Sequence, residues 1–303
     1  MPADRRAIAP PPVRSLLFVP ANRGDRMGKA LASEADAAVF DLESAIPRGE
    51  ATVARDLVRE MVAGHGVPRP AAFVRVSAVG TDDFAADLLA SVHPNLTGIL
   101  LPQVSGVADV RDAAAALEAA EAAAGVPIGS TVLLPLLETA AAVREAYDIA
   151  CASPRVAYLG GGVSREGDIA RAIGFEWTPE GTETLFLRSK VLVDARAAGI
   201  ANPITGIWGI VDDLDGLRAF AEQNRRLGYE GMMCIHPAHL PVLHDVFTPS
   251  PAEIERWQAV IDAMEEAERE GLGAIRLDGR LIDVAHVKTA HDQLERARRL
   301  GVL

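Results

Sequence analysis

Short apolar runs alternate with stretches of helical periodicity along most of the chain, and no other feature restricts the possible fold as strongly. Eight of these runs begin at the following positions: Ser15, Ala37, Ala71, Gly98, Thr131, Arg155, Asn202 and Gly231. Strands separated by helices pair in parallel, and strands covered on both faces are almost continuously apolar, as these runs are. Eight such units predict an α/β fold, a closed (β/α)₈ TIM barrel, with an open doubly wound sheet as the alternative.

Helical stretches and the C-terminal region complete the predicted organisation. Residues 109–125 and 212–228 each begin with acidic residues and end at glycine, which is typical of helices. After the barrel, the sequence predicts a helix with a serine and proline start, a hairpin-like segment in GAIRLDGRLID, and a final helix from about Val284. The expected domains are a flexible N-terminal arm at 1–13, a TIM-barrel catalytic domain at 14–247 and a C-terminal helical extension at 248–303.

The overall composition excludes several classes of protein. The 303 residues carry a formal net charge of -12, whereas proteins that bind nucleic acids or acidic membranes present an excess of Lys and Arg. No apolar run is as long as a membrane-spanning helix, and the charged, proline-rich start differs from a signal peptide. With only two cysteines, Cys151 and Cys234, no disulfide framework is expected. We therefore expect a cytoplasmic protein that binds neither nucleic acid nor membrane.

Polar residues follow the predicted strands at the end where a parallel barrel has its active site. In chain order they are Asp41, Glu43, Arg75, Gln103, Glu138 and Asp168. Neighbouring strands lie about 4.8 Å apart, so Glu138 and Asp168, which follow the fifth and sixth strands, can both reach one cation. Two carboxylates that leave positions open for substrate oxygens suit Mg²⁺. The spacing thus indicates a candidate magnesium site.

Each of these residues also has a purely structural explanation. Glu138 and Asp168 are compatible with acids at the start of a following helix, where they interact favourably with the helix dipole. Arg75 can bind a substrate carboxylate in a bidentate fork, or it can neutralise Asp41 and Glu43, which lie two apart on one face of a strand. The residue pattern leaves these alternatives open.

Three other groups of residues resemble functional motifs more weakly. The glycines at 160–162 resemble a loop that binds phosphate, although a glycine run after a strand is more typical of a tight turn. His236 and His239 have no carboxylate or cysteine at ligand spacing, so we expect core or loop histidines rather than metal ligands. The acids that we expect to start a helix are Asp212, Asp213 and Asp215.

Five sequence blocks together resemble the family of the citrate lyase β-subunit and malyl-CoA lyase. In order they are RSLLFVPANRGDRMGKALASEADAAVFDLESAIP, VRVS, LLPLLETAAAV, LGYEGMMCIHP and GAIRLDGRLID. The resemblance runs from Arg14 to about Val284. It implies a metal-dependent TIM barrel, a homotrimer or hexamer, and activity on thioesters of CoA or an acyl-carrier protein.

The resemblance also implies roles for particular residues. Glu138 and Asp168 would be the Mg²⁺ ligands, and Arg75 would bind the carboxylate of an α-keto acid. Asp283 would reach a neighbouring subunit's active site as proton donor, and Glu43 would support water at the metal or Arg75. Further candidates for substrate binding are Arg14, Lys29 and Gly161.

The chain departs from the family pattern around the expected site. It has Ser44 where the family usually reads DLED, and Gln103 where the family usually reads LPK. The stretch before the metal aspartate is expanded to GGGVSREGD, which leaves Glu166 as a rival to Asp168. His239 stands where glutamine is common. A sister group of pyruvate aldolases has a histidine in place of Ser44, so the serine favours the CoA-ester branch.

These observations predict a Mg²⁺-dependent carbon-carbon lyase. It would cleave a β-hydroxyacyl-CoA, such as malyl-CoA or citramalyl-CoA, to an acyl-CoA and an α-keto acid. One alternative is a thioester hydrolase or malate-synthase-like enzyme on the same scaffold. Another is a catalytically silent subunit that only binds acyl-CoA.

Overall fold

The computed structural model describes residues 10–44, 46–47, 49–161 and 163–303. Most of the expected N-terminal arm, and the last glycine of the 160–162 run, lie outside these residues. The chain separates into two compact units, of which the first ends at Phe247 and the second comprises Thr248–Leu303. Among the described helices, none combines the length and the apolar character needed to cross a membrane.

The first unit contains eight parallel strands, as the alternating pattern predicts. They are β1 (Ser15–Pro20), β2 (Ala37–Asp41), β3 (Ala71–Arg75), β4 (Leu96–Leu101), β5 (Val132–Leu137), β6 (Gly160–Gly161), β7 (Ile204–Ile207) and β8 (Gly231–Cys234). Their order in the sheet is β6-β5-β4-β3-β2-β1-β8-β7. A parallel bridge between Ser164 and Ile207 joins the two ends. The nearly closed ring confirms the predicted barrel over the open sheet.

Helices connect the strands in the same order. They are α1 (Gly24–Leu31), α2 (Ala51–Gly64), α3 (Asp82–Ser91), α4 (Val107–Ala124), α5 (Ala140–Arg144), α6 (Ala146–Cys151), α7 (Asp168–Ile173), α8 (Leu185–Ala197), α9 (Leu214–Leu227) and α10 (Leu240–Phe247). Gly125 and Gly228 end α4 and α9 in the left-handed conformation, with φ of 66° and 115°. Asp213 caps α9 by accepting a hydrogen bond from the Gly216 amide at 2.9 Å, so the glycine stops and the helix-start acid are confirmed.

Side chains fill the interior of the barrel. Alternate strand residues such as Leu16, Val39 and Phe73 point inward and form one buried cluster, while their neighbours pack against the helices. The ring of Phe73 meets that of Tyr158 edge to face, with 5.8 Å between centroids. Because the interior is packed, a substrate must bind at an end of the barrel rather than within it.

The second unit has the predicted helix, hairpin and helix. Helix α11 (Pro251–Arg269) begins with a capping box between Ser250 and Glu253. Strands β9 (Ala274–Leu277) and β10 (Arg280–Asp283) pair antiparallel, and α12 (Val284–Leu300) follows directly. Ile261, Ala290 and Leu294 form a small buried core between the helices.

Candidate active site

A cavity of about 270 Å³ lies at the carboxyl ends of the barrel strands. Three residues predicted to act in catalysis or metal binding line it, namely Arg75, Glu138 and Asp168. Gly161, predicted to bind substrate, also lines this cavity. The structure therefore brings together residues from four different elements: the ends of β3, β5 and β6 and the start of α7.

Arg75 is held by acidic residues at the end of β2. Its Nε and Nη2 donate to the two carboxylate oxygens of Asp41 at 2.7 and 2.6 Å, and the side chain is only 12% exposed. Nη2 also donates to Ser44 Oγ at 2.5 Å and lies 3.3 Å from Glu43 Oε2. Burial alone would lower the pKa of Arg75, but the hydrogen bonds and charge of Asp41 outweigh it and raise the pKa. Arg75 thus neutralises Asp41 and Glu43 while it also faces the cavity.

Glu138 follows β5 and is half-buried. Its Oε2 accepts a hydrogen bond from the backbone amide of Gln103 at 2.9 Å. Burial raises the pKa of Glu138, and the nearby charges of Glu43 and Asp168 raise it further against the opposing effects of Gln103 and Arg75. Thr139, not Glu138, caps α5, so the cap explanation for this glutamate is wrong.

Asp168 is the first residue of α7. Its Oδ1 accepts a hydrogen bond from Arg171 at 2.7 Å, and its Oδ2 accepts one from the side-chain amide of Gln103 at 3.2 Å. Glu166, the rival candidate, lines the same cavity. Only Asp168 of these two shares a hydrogen-bonding partner with Glu138 in the described structure.

The loop that carries Asp168 lies very close to the barrel wall. A Cβ atom added to Gly206 on β7 would fall 1.5 Å from the Val163 carbonyl oxygen, so no side chain fits there. Gly161 has φ of +95°, and a Cβ there would lie 2.9 Å from the Leu137 amide nitrogen. The glycines therefore permit close approach of backbones, which is the turn explanation rather than evidence of phosphate binding.

The carboxylate pair fits the oxygen chemistry that Mg²⁺ requires. Glu138 and Asp168 both accept hydrogen bonds from Gln103, and the nearby charge of Asp168 contributes to the raised pKa of Glu138. Within the described ranges, no three His, Cys, Asp or Glu side chains gather as a metal site. Two carboxylates would leave several positions of a six-coordinate cation for water and substrate oxygens.

Two of the other predicted substrate-binding residues lie elsewhere. Arg14 precedes β1 and donates from Nε to Asp36 Oδ2 at 2.8 Å, so it lies at the amino end of the strand, opposite the cavity. The structure does not bring Arg14 to the site, because Asp36 holds it at the other end of the barrel. Lys29 on α1 lines a separate cavity of about 330 Å³ at the carboxyl ends of β1 and β8, together with Phe18 and Arg26.

Asp283 belongs to the second unit, where it caps α12. Its Oδ1 accepts hydrogen bonds from the Ala285 amide at 3.0 Å and from His286 Nδ1 at 2.7 Å. The side chain is 46% exposed, and the hydrogen bond from His286 lowers the pKa of Asp283. In a single chain the pKa is thus shifted in the direction opposite to the rise expected for a proton donor.

The two histidines of the IHPAH sequence lie in different environments. His236 accepts a hydrogen bond from the Ala238 amide at 3.2 Å and caps a short 3₁₀ helix. His239 is buried and lies 3.2 Å from the Val211 carbonyl oxygen through Nε2. Burial lowers the pKa of His239. Both are therefore loop or core histidines.

Two residues acquire a role only in the structure, one beside the cavity and one lining it. The sequence marks Gln103 as a departure from the family but does not show that it contacts both Glu138 and Asp168. Arg165 lines the cavity from the expanded loop, so a second guanidinium lines it in addition to that of Arg75. The unusual length of that loop was the available signal.

Comparisons with known proteins show which family the chain resembles. The sequence matches the family model described as HpcH/HpaI aldolase/citrate lyase over residues 14–237. A protein of Cereibacter sphaeroides named (3S)-malyl-CoA thioesterase is 35% identical over 290 residues, which cover 96% of each chain. A citrate lyase subunit beta-like protein of Deinococcus radiodurans is 37% identical over 282 residues, 91% of this chain and 94% of that protein.

Solved structures show the same fold. Protein CitE of Mycobacterium tuberculosis, in complex with magnesium, acetoacetate and coenzyme A, is 26% identical with a TM-score of 0.70 and covers 97% of this chain and 99% of its own. A citrate lyase of Burkholderia xenovorans LB400 has a TM-score of 0.80 at 20% identity, covering 100% of this chain and 96% of its own, and supports the fold alone. Because the family model spans most of the barrel and two relatives exceed 30% identity over nearly the whole length, the chain belongs to the HpcH/HpaI aldolase/citrate lyase family.

Proposed function

We propose that the protein is a Mg²⁺-dependent carbon-carbon lyase acting on a β-hydroxyacyl-CoA. The substrate would carry a carboxylate on its hydroxyl-bearing carbon, as malyl-CoA and citramalyl-CoA do, and the products would be an acyl-CoA and an α-keto acid. The observation that carries the proposal is the meeting of Glu138 and Asp168 at Gln103, in one cavity with Arg75. The magnesium, acetoacetate and coenzyme A in the M. tuberculosis structure support it.

Glu138 and Asp168 would hold the cation, which when bound polarises substrate oxygens and stabilises the charge that develops on them. Arg75 would bind the substrate carboxylate beside it. Asp41 occupies the Nε and Nη2 edge of Arg75, and in the described structure no acceptor engages Nη1, which is left for a ligand. Glu43 balances the charge of Arg75 at 3.3 Å.

Cleavage would break the bond between the hydroxyl-bearing carbon and the carbon next to the thioester. The hydroxyl group releases its proton to water as its oxygen becomes the keto oxygen of the α-keto acid. The bonding electrons pass to the thioester enolate, which then needs a proton at carbon. We assign that proton to Asp283 of a neighbouring subunit in a homotrimer or hexamer. Covering by the neighbour would remove water from the carboxyl group and raise its pKa, reversing the effect of His286 in the single chain.

The second cavity supports binding of the CoA part. It combines the exposed cations Arg26 and Lys29 with the apolar residues Phe18 and Pro20. Cations of this kind bind phosphate groups, and apolar surface accepts the uncharged arm of the cofactor. We therefore retain Lys29 as a substrate-binding residue and assign Arg14 a structural role.

The products test the proposal directly. Purified protein with Mg²⁺ would be given malyl-CoA and citramalyl-CoA, and the keto acid and free thiol would be measured separately. A lyase releases glyoxylate or pyruvate with no free thiol. Glu138→Gln should lose this activity because it removes one charged ligand. Tight binding of the esters without any product would contradict the proposal. It would instead support a subunit that binds acyl-CoA without catalysing a reaction.

A thioester hydrolase is the second candidate, because the C. sphaeroides relative carries the name (3S)-malyl-CoA thioesterase. Hydrolysis would release free CoA thiol and the hydroxy acid, with no keto acid. The same assay therefore separates the two activities. If free thiol appears without keto acid, the protein is a hydrolase and not a lyase.

A further inference from the structure

Gln103 has an unusual backbone conformation at the edge of the active-site cavity. It lies just beyond β4 and has φ of 50°, in the left-handed region that glycine favours. Among the described non-glycine residues, only Gln103 and Asp278 have positive φ. Asp278 occupies the turn of the β9–β10 hairpin, where such a conformation is common. Gln103 lies with Pro102 in a turn after β4 and not in a hairpin.

The conformation places both hydrogen-bonding groups of Gln103 on candidate metal ligands. The backbone amide donates to Glu138 Oε2 at 2.9 Å, and the side-chain Nε2 donates to Asp168 Oδ2 at 3.2 Å. Glu138 stands at the end of β5, whereas Asp168 begins α7 after the expanded loop. One residue thus ties together carboxylates from two separate elements.

The other hydrogen bond of Asp168 cannot do the same. Arg171, its second partner, lies three residues later on the same helix, so it moves with Asp168 and does not fix it to the barrel. Within the described residues, Gln103 is also the hydrogen-bond donor to the carboxylate of Glu138. Among the described residues, Gln103 is therefore the one that hydrogen-bonds to both carboxylates.

We propose that Gln103 is a positioning residue that spaces Glu138 and Asp168 for a divalent cation. This inference rests on the proposed function, in which those two carboxylates bind Mg²⁺. The backbone of Gln103 acts on Glu138 and its side chain acts on Asp168. The cation contacts neither group of Gln103 in this role; Gln103 orients the residues that do.

Two substitutions separate the side chain from the backbone. Gln103→Asn keeps an amide and a residue that tolerates the left-handed conformation, but it shortens the side chain by one methylene. Gln103→Gly removes the side chain and relaxes the backbone, so the fold should be at least as stable as before. Both variants leave the backbone amide to Glu138 and remove the contact with Asp168.

The matched control is Asp278→Gly. It relaxes the other left-handed residue, in the hairpin of the second unit, without touching either carboxylate of the cavity. It should raise or preserve the melting temperature, as Gln103→Gly does, and leave Mg²⁺ binding unchanged.

The experiment is calorimetric titration of the metal-stripped full-length chain with Mg²⁺ alone, beside a thermal melt of each variant. Wild type and Asp278→Gly should bind equally, and both Gln103 variants should bind about ten- to a hundredfold more weakly with unaltered melting, since residues that orient metal ligands have effects of that size. Equal affinity in the variants, or weakening only in step with a lowered melting temperature, would overturn the inference while the metal site stands. If the wild-type protein binds no Mg²⁺, the proposed Mg²⁺-dependent function is wrong as well.

Discussion

Asp41 is a buried carboxylate at a strand end, and such a group requires a cationic partner or water. Arg75 provides the cation from the neighbouring strand, where the two residues are paired in register. The same guanidinium faces the cavity. One residue therefore supports both the local fold and the proposed binding of substrate, and its replacement should affect both.

Arg75→Lys is expected to lower kcat/KM by roughly 100-fold and stability by about 1–3 kcal/mol. A lysine ammonium is a point charge and cannot span both oxygens of Asp41 while presenting further donors to a substrate carboxylate. Steady-state kinetics and urea denaturation measure the two effects.

Arg55→Lys is the matched control for that variant. Arg55 makes comparable ion pairs with Asp83 at 2.5 Å and Asp87 at 2.7 Å, away from the residues that line the cavity. It should lose stability and keep kcat/KM. Full activity in Arg75→Lys, with only stability lost, would limit Arg75 to the structural role.

The position of Gln103 shows why part of the site was not predictable at the residue level. The sequence identifies a polar residue after an apolar strand, but the glutamine itself does not predict the left-handed backbone that aims its amide at Glu138. Non-glycine residues adopt this conformation at a cost of about 1–2 kcal/mol, so propensity argues against it. By contrast, the proximity of Glu138 and Asp168 was predictable, because adjacent strand ends bring the residues that follow them near each other.

At the scale of elements, Asp36 links the amino ends of three neighbouring strands. Its carboxylate accepts hydrogen bonds from Arg14, just before β1, through both the backbone amide and Nε at 2.8 Å. Arg69, just before β3, lies 3.4 Å away, and the Asp36 carbonyl accepts from the Ala71 amide at 2.8 Å. This network holds the end of the barrel opposite the cavity.

Asp36→Asn is expected to destabilise the protein by about 3 kcal/mol at pH 7, because it leaves a largely buried arginine without its countercharge. Burial would raise the pKa of Asp36, but the hydrogen bonds and charge of Arg14 outweigh it and lower the pKa below 3.8. The stabilisation is therefore present above that pH and is lost as the pH falls through the lowered folded-state pKa. Urea denaturation at pH 7, 5 and 3 should show the difference between the two proteins shrinking at the lowest pH.

An exposed ion pair gives the comparison for Asp36. Asp245→Asn breaks the contact of Asp245 with Arg218 on the surface and should change stability little at any pH. A difference between wild type and Asp36→Asn that stays constant down to pH 3 would contradict the ionic explanation.

The sequence predicts the elements well where the apolar pattern is strong, and poorly where glycine interrupts it. All eight strands begin within a few residues of their predicted runs. The sixth run predicts a strand from Arg155, but regular pairing is confined to Gly160–Gly161, with one earlier bridge between Val156 and Leu133. A run with three consecutive glycines lacks the side chains that hold a long strand in place.

At the scale of the whole molecule, neither the residue pattern nor the structure of a single chain assigns Asp283 to an active site. Asp283 caps α12 in the second unit, and the cap explains its conformation without any catalytic role. Only the family resemblance assigns it to a neighbouring subunit. An experiment on the assembly is therefore required.

Mixing two inactive variants tests the shared site. Asp283→Asn should fold normally because asparagine is an equally good helix cap, yet it cannot donate the proton. Combined with Glu138→Gln chains, it should regain partial activity, since a mixed assembly can place an intact Asp283 over an intact metal site. The measurement is turnover after verified subunit exchange.

The control mixture contains Asp283→Asn and the double variant Glu138→Gln/Asp283→Asn. No chain in it carries Asp283, so it should stay inactive whether or not sites are shared. If the first mixture is as inactive as this control, the C-terminal unit is a structural extension and the proton comes from elsewhere.

The contact between Gly206 and the Val163 carbonyl has a consequence for sequence variation. Position 206 admits no other residue unless the loop leading to Asp168 moves away from the barrel wall. Damage to the proposed metal site can thus originate at a residue with no side chain and no ligand atom. A natural variant of this enzyme at Gly206 would look like a change in the barrel wall. Its main effect, however, would be on the proposed metal site, through displacement of the loop that carries Asp168.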